Sequence, residues 1–193
     1  KLFGELYFPY PREMISIVAA DFLHNMEMDG MVMISYGVFD FYNKTPKTNL
    51  TILAPHEISH QWFYSMVGND QAKDPWLDEA LATYHEVLYY QTYQPDLVQW
   101  WWNNRIDGFA PKGYVNSDIY LIGGYPAYRD AVYLRGAQFL QELRDLIGDE
   151  AFFAALKDYA LTNKLASGED FFAAIARHSQ QDLSPLLAKY FRN

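Results

Sequence analysis

The chain has 193 residues, half of them apolar and 18% aromatic, with a formal net charge of −9 and no cysteine. That length and composition suit one domain with a sizeable core and exclude a disordered chain. The acidic balance argues against a nucleic-acid face, and the absence of cysteine leaves only His, Asp or Glu to hold any metal.

No apolar run reaches the length of a membrane span, and "KLFGELYFPYP" has no signal-peptide pattern. A chain that opens on Lys1 is expected to be cut from a longer one. The first two elements in chain order are expected strands, Met14 to Phe22 and Met31 to Phe41, rich in Val, Ile and aromatics with a turn at Asp29-Gly30 between them. "NKTPKTN" (Asn43 to Asn49) is a loop by composition. From Leu50 the pattern turns helical. A first helix, with Pro55 near its start, is expected to run to about Val67 and stop at Gly68-Asn69. A second runs from Pro75 to Pro95, and a third covers "DLVQWWWNN". A loop-rich stretch follows, Gly108 to Pro126. Further helices are expected to open at Pro126, at Asp149, behind the Ser167/Asp170 capping-box pattern, and at Ser184-Pro185.

The expected fold class is therefore α+β, mostly helical: a short N-terminal β-sheet over 1–49, then a helical body over 50–193, together one domain. There are no internal repeats and no low-complexity tract.

The five histidines include a pair four residues apart, in "LAPHEISHQWF" (Leu53 to Phe63). On a helix, His56 and His60 leave the same face, because four residues are little more than one turn. Glu57 stands beside the first ring and can reach over the same site. Zinc hydrolysis needs this set: two neutral imidazoles bind the metal and a carboxylate takes a proton from water. By composition such a motif arises by chance about 0.006 times in a chain like this, which makes the match suggestive, although many sequences carry the motif with no metal.

Two ligands make a weak site, and Glu79 is the candidate third, 79 − 60 = 19 positions on and early in the next helix. Helices joined by "GNDQAKDP" pack antiparallel or crossed, which can return Glu79 over the histidine face. One Zn²⁺ would then sit in a His₂Glu site with a position open to water. Glu86 lies two turns beyond Glu79 on the same face, a reasonable partner for a ligand histidine's other ring nitrogen, and Asp78 a poorer one. His85 and His178 lack ligand spacing and are expected at the surface or in packing. Of the three consecutive tryptophans Trp100, Trp101 and Trp102, an aromatic core place is favoured slightly over a groove wall.

"HEISHQWF", then "WLDEALA" with Glu79 eighteen intervening residues after His60, resembles the gluzincin zinc aminopeptidase family. Gln61, Trp62, Phe63, Trp76 and Leu77 match its pattern, whereas Asp78 stands for the usual Asn and Ala80 for the usual Gly. The resemblance implies a thermolysin-like catalytic domain and a zinc aminopeptidase. It also implies further residues. "HNMEMDG" (His24 to Gly30) is similar to the family's Gly-x-Met-Glu-Asn, which makes Met26 and Glu27 substrate-binding residues, with Glu27 on the substrate's ammonium group. "VYLRG" resembles the segment whose tyrosine steadies the oxyanion, so Tyr133 takes that role, with Tyr128 as the fallback. The implied substrates are peptides with a free N-terminus. The implied partner is a β-rich domain of the parent chain, without which this segment is expected to bind zinc but turn over weakly. His24 and Met28 depart from the pattern and keep a thermolysin-like endopeptidase as the alternative, beside a catalytically silent binding module.

Overall fold

The computed structural model describes residues 1–120, 122–162 and 164–192. A short helix α1 (Leu2–Leu6) precedes a three-stranded sheet of β1 (Ser16–Ala20), β2 (Met26–Met28) and β3 (Met31–Ser35), in the order β1-β3-β2. β1 runs parallel to β3, and β2 pairs with β3 antiparallel. The turn at Asp29-Gly30 is present, with Gly30 at φ 79°, the left-handed region open to glycine. It joins β2 to β3 rather than closing the two long strands expected. β2 is only three residues long, too short to show a periodicity. The second expected strand stops at Ser35, and helix α2 (Tyr36–Asp40) follows. Beyond Ser35 neither neighbour offers a ladder, so the backbone satisfies itself by turning helical.

Register sets the direction of Glu27. It lies opposite Val32, so the two side chains share a face, and Val32 is fully buried toward the helices. Met26 and Met28 pair with Met33 and Met31 on the other face and are exposed.

Helix α3 (Asn49–Ser59) starts earlier and ends earlier than the sequence indicates. The Thr51 and Ile52 amides donate to the Thr48 carbonyl at 3.1 and 3.2 Å, which puts Pro55 inside the helix, not at its start. Position 55 therefore gives no amide to the helix ladder. The helix tightens as it ends at His60: the Gln61 and Trp62 amides donate three residues back, to Ile58 and Ser59, at 3.1 and 2.9 Å. Trp62 Nε1 donates to the Phe8 carbonyl at 3.0 Å, and Tyr64 turns the chain at φ 139°. A two-residue strand β4 (Gly68–Asn69) then pairs with β5 (Leu165–Ala166).

Helix α4 (Trp76–Tyr93) is the central rod of the body, buried on nearly every side and packed by α3, α7 and the segments between. Trp76 anchors its first turn, edge-on to Phe171 at 5.1 Å and to Phe191 at 5.3 Å. After a 3₁₀ turn, α5 (Val98–Trp101) widens into a π-helical turn over Trp102–Ile106. The loop expected over 108–126 holds, except that a 3₁₀ turn (Asp107–Phe109) overlaps its start, α6 (Tyr125–Tyr128) begins at its end and Leu121 lies outside the described residues. A second π turn, Arg129–Leu134, leads into α7 (Arg135–Ile147). Then come α8 (Asp149–Thr162), α9 (Gly168–His178) and α10 (Ser184–Tyr190). The capping box forms at α9: the Ser167 hydroxyl accepts from the Asp170 amide while Asp170 accepts from the Ser167 amide. The fold is α+β and mostly helical, as the sequence indicates. No helix among the described residues is long and apolar enough to cross a membrane.

α7 crosses α4 at Gly136. A Cβ built there would lie 2.3 Å from Ala80 Cβ and 3.2 Å from Ala80 Cα. Gly136→Ala should therefore force the two helices apart and lower stability by about 1–3 kcal/mol, read by denaturant unfolding. Unchanged stability would show that the crossing is loose.

Candidate metal centre

Five ionisable side chains converge where α3 meets α4. His56 Nε2 lies 3.2 Å from Glu79 Oε2, and His60 Nε2 lies 3.8 Å from the same oxygen. One donor atom from each of the three falls within 4.8 Å of the others. A tetrahedral ion with bonds of about 2.0–2.1 Å keeps its ligands about 3.4 Å apart, so the trio is spaced to share one divalent ion. The outer ring nitrogens are occupied. His56 Nδ1 meets Glu86 Oε1 at 2.9 Å, and His60 Nδ1 meets Asp78 Oδ1 at 2.5 Å. With Nδ1 committed to a carboxylate, each ring presents Nε2 to the same point.

The ranking of Asp78 below Glu86 is thus corrected. Glu79 points at the rings, and Asp78, one residue back, reaches around to His60 from the adjacent side of the helix. Gln71 Nε2 holds its second oxygen at 2.6 Å. Glu86 accepts from four donors. Besides His56 these are Arg105 Nε and Nη2, both at 2.9 Å, and Trp101 Nε1 at 3.1 Å. Of the three tryptophans, Trp101 is therefore a core residue with a polar task, while Trp100 and Trp102 are partly buried against the core. His85 is a packing residue: it is fully buried, stacks on Phe63 and meets the Tyr7 hydroxyl through Nε2 at 2.5 Å. Its pKa falls to about 3, by burial, so it stays neutral.

The metal-free rings are cationic. Burial alone would lower the His56 pKa, but hydrogen bonds to Glu79 and Glu86 outweigh it and hold the pKa at about 9. For His60 too, burial opposes the charge and Asp78 prevails, so its pKa stands well above the ordinary value. Burial would raise Glu79, and the His56 hydrogen bond overrides it, keeping the carboxylate ionised.

Three more predicted residues face the same cleft, a hollow of about 570 Å³. Glu57 is 5% exposed, and among the described residues its Oε2 has no hydrogen-bond partner. Burial raises its pKa, against the pull of the two histidines. Glu27 brings a carboxylate oxygen to the group formed with Glu57 and His60, and its pKa too is raised by burial. The Tyr133 ring lies parallel to the His56 ring, 6.0 Å between centroids, and edge-on to Tyr128. Burial, then the Glu79 charge, push its hydroxyl well above the ordinary tyrosine range, so it is a donor at neutral pH. Met26 reaches only the rim, since its register turns the side chain outward. A larger hollow of about 740 Å³ lies between α1, α3 and α4, but its lining holds no histidine or carboxylate.

One residue outside the expected set ties the hairpin to the histidine helix. Gln61 is fully buried. Its Oε1 accepts from the Gly30 amide at 2.8 Å and the Tyr10 hydroxyl at 2.9 Å, and its Nε2 donates to the Met28 carbonyl at 2.8 Å. The hairpin that carries Glu27 is thereby fixed beside His60. The sequence signal was adjacency to the second histidine, which says nothing of a partner thirty residues away.

Comparison with known proteins gives the family of the chain. The model of the peptidase family M1 domain matches residues 3–190. The chain belongs to peptidase family M1. Aminopeptidase M1-D of Oryza sativa subsp. japonica is 26% identical over 205 residues, covering 94% of the chain and 23% of the relative. Aminopeptidase N of Lactobacillus delbrueckii subsp. lactis is 27% identical over 197 residues, covering 93% of the chain and 23% of the relative. An M1 zinc metallopeptidase from Deinococcus radiodurans superposes over 100% of the chain and 42% of its own, with TM-score 0.76 and 21% identity. That likeness carries the fold. The M1 chain described here spans about a quarter of the length of the curated relatives it matches.

The pKa of His56 gives a signed prediction. It is raised from 6.5 to about 9 in the metal-free fold, so the charged network stabilises that fold fully below about pH 6.5. The contribution is lost as pH rises through about 9. Metal-free protein should therefore lose stability across this window in thermal unfolding. A divalent ion needs His56 neutral, so its binding at pH 7.5 should release at least one proton, measurable in weak buffer. Binding without release would mean that the ring is already neutral.

Proposed function

We propose that this M1 domain is a zinc aminopeptidase that removes residues from the free N-terminus of peptides. The single observation that carries the reading is the convergence of His56, His60 and Glu79 with Glu57 and Tyr133 in one cleft. One Zn²⁺, held by His56 Nε2, His60 Nε2 and a Glu79 oxygen, would supply Lewis acidity, acidifying water and polarising the scissile carbonyl.

The chain's own residues have separable tasks. Glu57, whose Oε2 has no partner among the described residues and whose pKa burial raises, takes a proton from the attacking water and returns it to the leaving amine. Tyr133 keeps its proton and donates a hydrogen bond to the oxygen that gains charge. Glu27, turned into the cleft by the β2–β3 register, pairs with the substrate's ammonium group. Glu86 and Asp78 hold the two rings by Nδ1. The names of the relatives, aminopeptidases of rice and of a lactobacillus, support the peptide substrate class.

Leu23, in the cleft wall, is 92% exposed, and Phe41, the residue after α2, is 83% exposed. In the proposed whole enzyme, a β-rich segment of the longer M1 chain covers them and completes the substrate pocket, so the domain alone binds zinc and turns over weakly.

Glu57→Gln should retain zinc and lose turnover of aminoacyl reporter substrates by at least about 10²-fold, the usual contribution of a general base. Glu79→Ala should lose the metal itself. Hydrolysis retained by Glu57→Gln would remove the mechanism.

Peptides with a blocked amine test the anchor. Cleavage of free peptides with no cleavage of their N-acetylated forms is expected. Equal cleavage of both would favour an endopeptidase, for which the cleft wall formed by His24, with its ring 6.1 Å from Tyr125, would be part of a longer substrate groove.

A further inference from the structure

Arg105 is absent from every motif discussed above, yet it touches the network at its most buried point. Its guanidinium meets the Glu86 carboxylate fork to fork, Nε to Oε2 and Nη2 to Oε1, each at 2.9 Å. The same two oxygens receive His56 Nδ1 and Trp101 Nε1. Each oxygen thus carries two donors, which leaves the carboxylate no freedom to rotate or to accept a proton in place of a partner. Trp101 and Arg105 stand four apart across the π-helical turn and approach Glu86 together. On the other ring the arrangement differs, since Asp78 is steadied by the neutral amide of Gln71.

We propose that Arg105 is a positioning residue for the metal centre: by locking the charge and rotamer of Glu86, it fixes His56 with Nδ1 protonated and Nε2 turned to the ion. The inference rests on the zinc-site reading above. A buried ion pair gives little net stability over apolar residues of the same volume, so stability alone is a poor reason for placing one here. Glu86 is fully buried, and without Arg105 its charge would face one imidazole and one indole only. A carboxylate in that position is free to turn toward another partner, and the ring then loses its fixed orientation. Arg105 also borders the cleft, so it links the wall of the substrate site to the support of the first histidine.

The test is chelator competition for Zn²⁺ in four proteins: wild type, R105Q, R105K and the double variant R105Q/E86Q. Zinc affinity should fall about 10–100-fold in R105Q, the size typical of lost outer partners of a metal ligand, and R105K should recover part of it. R105Q leaves a buried charge unpaired and can fail to fold. The double variant removes both charges, so it separates folding from positioning. Its affinity should fall as in R105Q while its unfolding stays cooperative. A second readout is the His56 Nδ1 proton in the NMR spectrum, slow to exchange in zinc-loaded wild type and broadened in the double variant. Wild-type zinc affinity in the double variant would overturn the role of Arg105 and leave the zinc site standing. Failure of the wild type to bind zinc would overturn the site itself.

Discussion

Two buried carboxylates and a half-buried third, all on one helix, face two imidazoles of another, and the body of the molecule is arranged around keeping them paired. Moving an ionised group out of water costs several kcal/mol, recovered only when each charge meets an opposite charge or a donor at close range. Asp78 and Glu86 are fully buried and His60 nearly so. Each has its partners: His60 and Gln71 on Asp78, His56, Arg105 and Trp101 on Glu86, both Nε2 atoms near Glu79. Removing one member leaves a buried charge exposed to nothing, so the set stands or falls together. The register of α3 on α4 follows from this. A slide of either helix by one turn would separate every pair at once.

The same constraint shapes the cleft. Because Nδ1 of each ring is held from behind, Nε2 must face forward, and Glu79 supplies the third donor from the early turns of α4. Two devices then bring the remaining groups over that point. Gln61 straps the β2–β3 turn to the end of α3, which sets Glu27 above His60. Gly136 lets α7 approach α4 to the limit of backbone contact, which sets the preceding π turn, and Tyr133 on it, above His56. The Gln61 side chain bonds Tyr10, Gly30 and Met28, and Gly136 packs on Ala80, so both act on what surrounds the ligands and determine what else can reach a bound substrate.

Order is graded from this centre outward. The rods α4 and α7 carry much of the buried core, whereas the sheet has apolar residues open to solvent, Ile17 at 53% and Met26 at 42% among them. Local stability follows buried contact, so the histidine helix and α4 form the rigid part, and the hairpin bearing Glu27 is tied to them by Gln61, by Ser65 on Asp29 and by the buried Val32.

Much of the chemistry was legible in the sequence. Helical periodicity puts His56 and His60 on one face, whatever else the chain does, and Glu79 and Glu86 on one face two turns apart. The α+β class and the capping box at Ser167 were legible for the same reason, because they depend on contacts within a few residues. Long-range contacts overrode local signals elsewhere. Tyr36 to Asp40 reads as strand and is helix because no neighbour pairs with it. Pro55 reads as a helix start and lies inside one because Thr48 opens the helix a full turn and more before it. Asp78 was undervalued because adjacency to Glu79 hides how far round the helix its side chain turns. Arg105 carries no spacing rule, and Gln61 was legible as a match to the family pattern but not in its task, since their partners lie 19 and about thirty residues away. Sequence alone determined which donor atoms are available and on which helix faces. The tertiary structure decided which of them meet, because the distance between two side chains on different elements is set by packing and not by the chain between them.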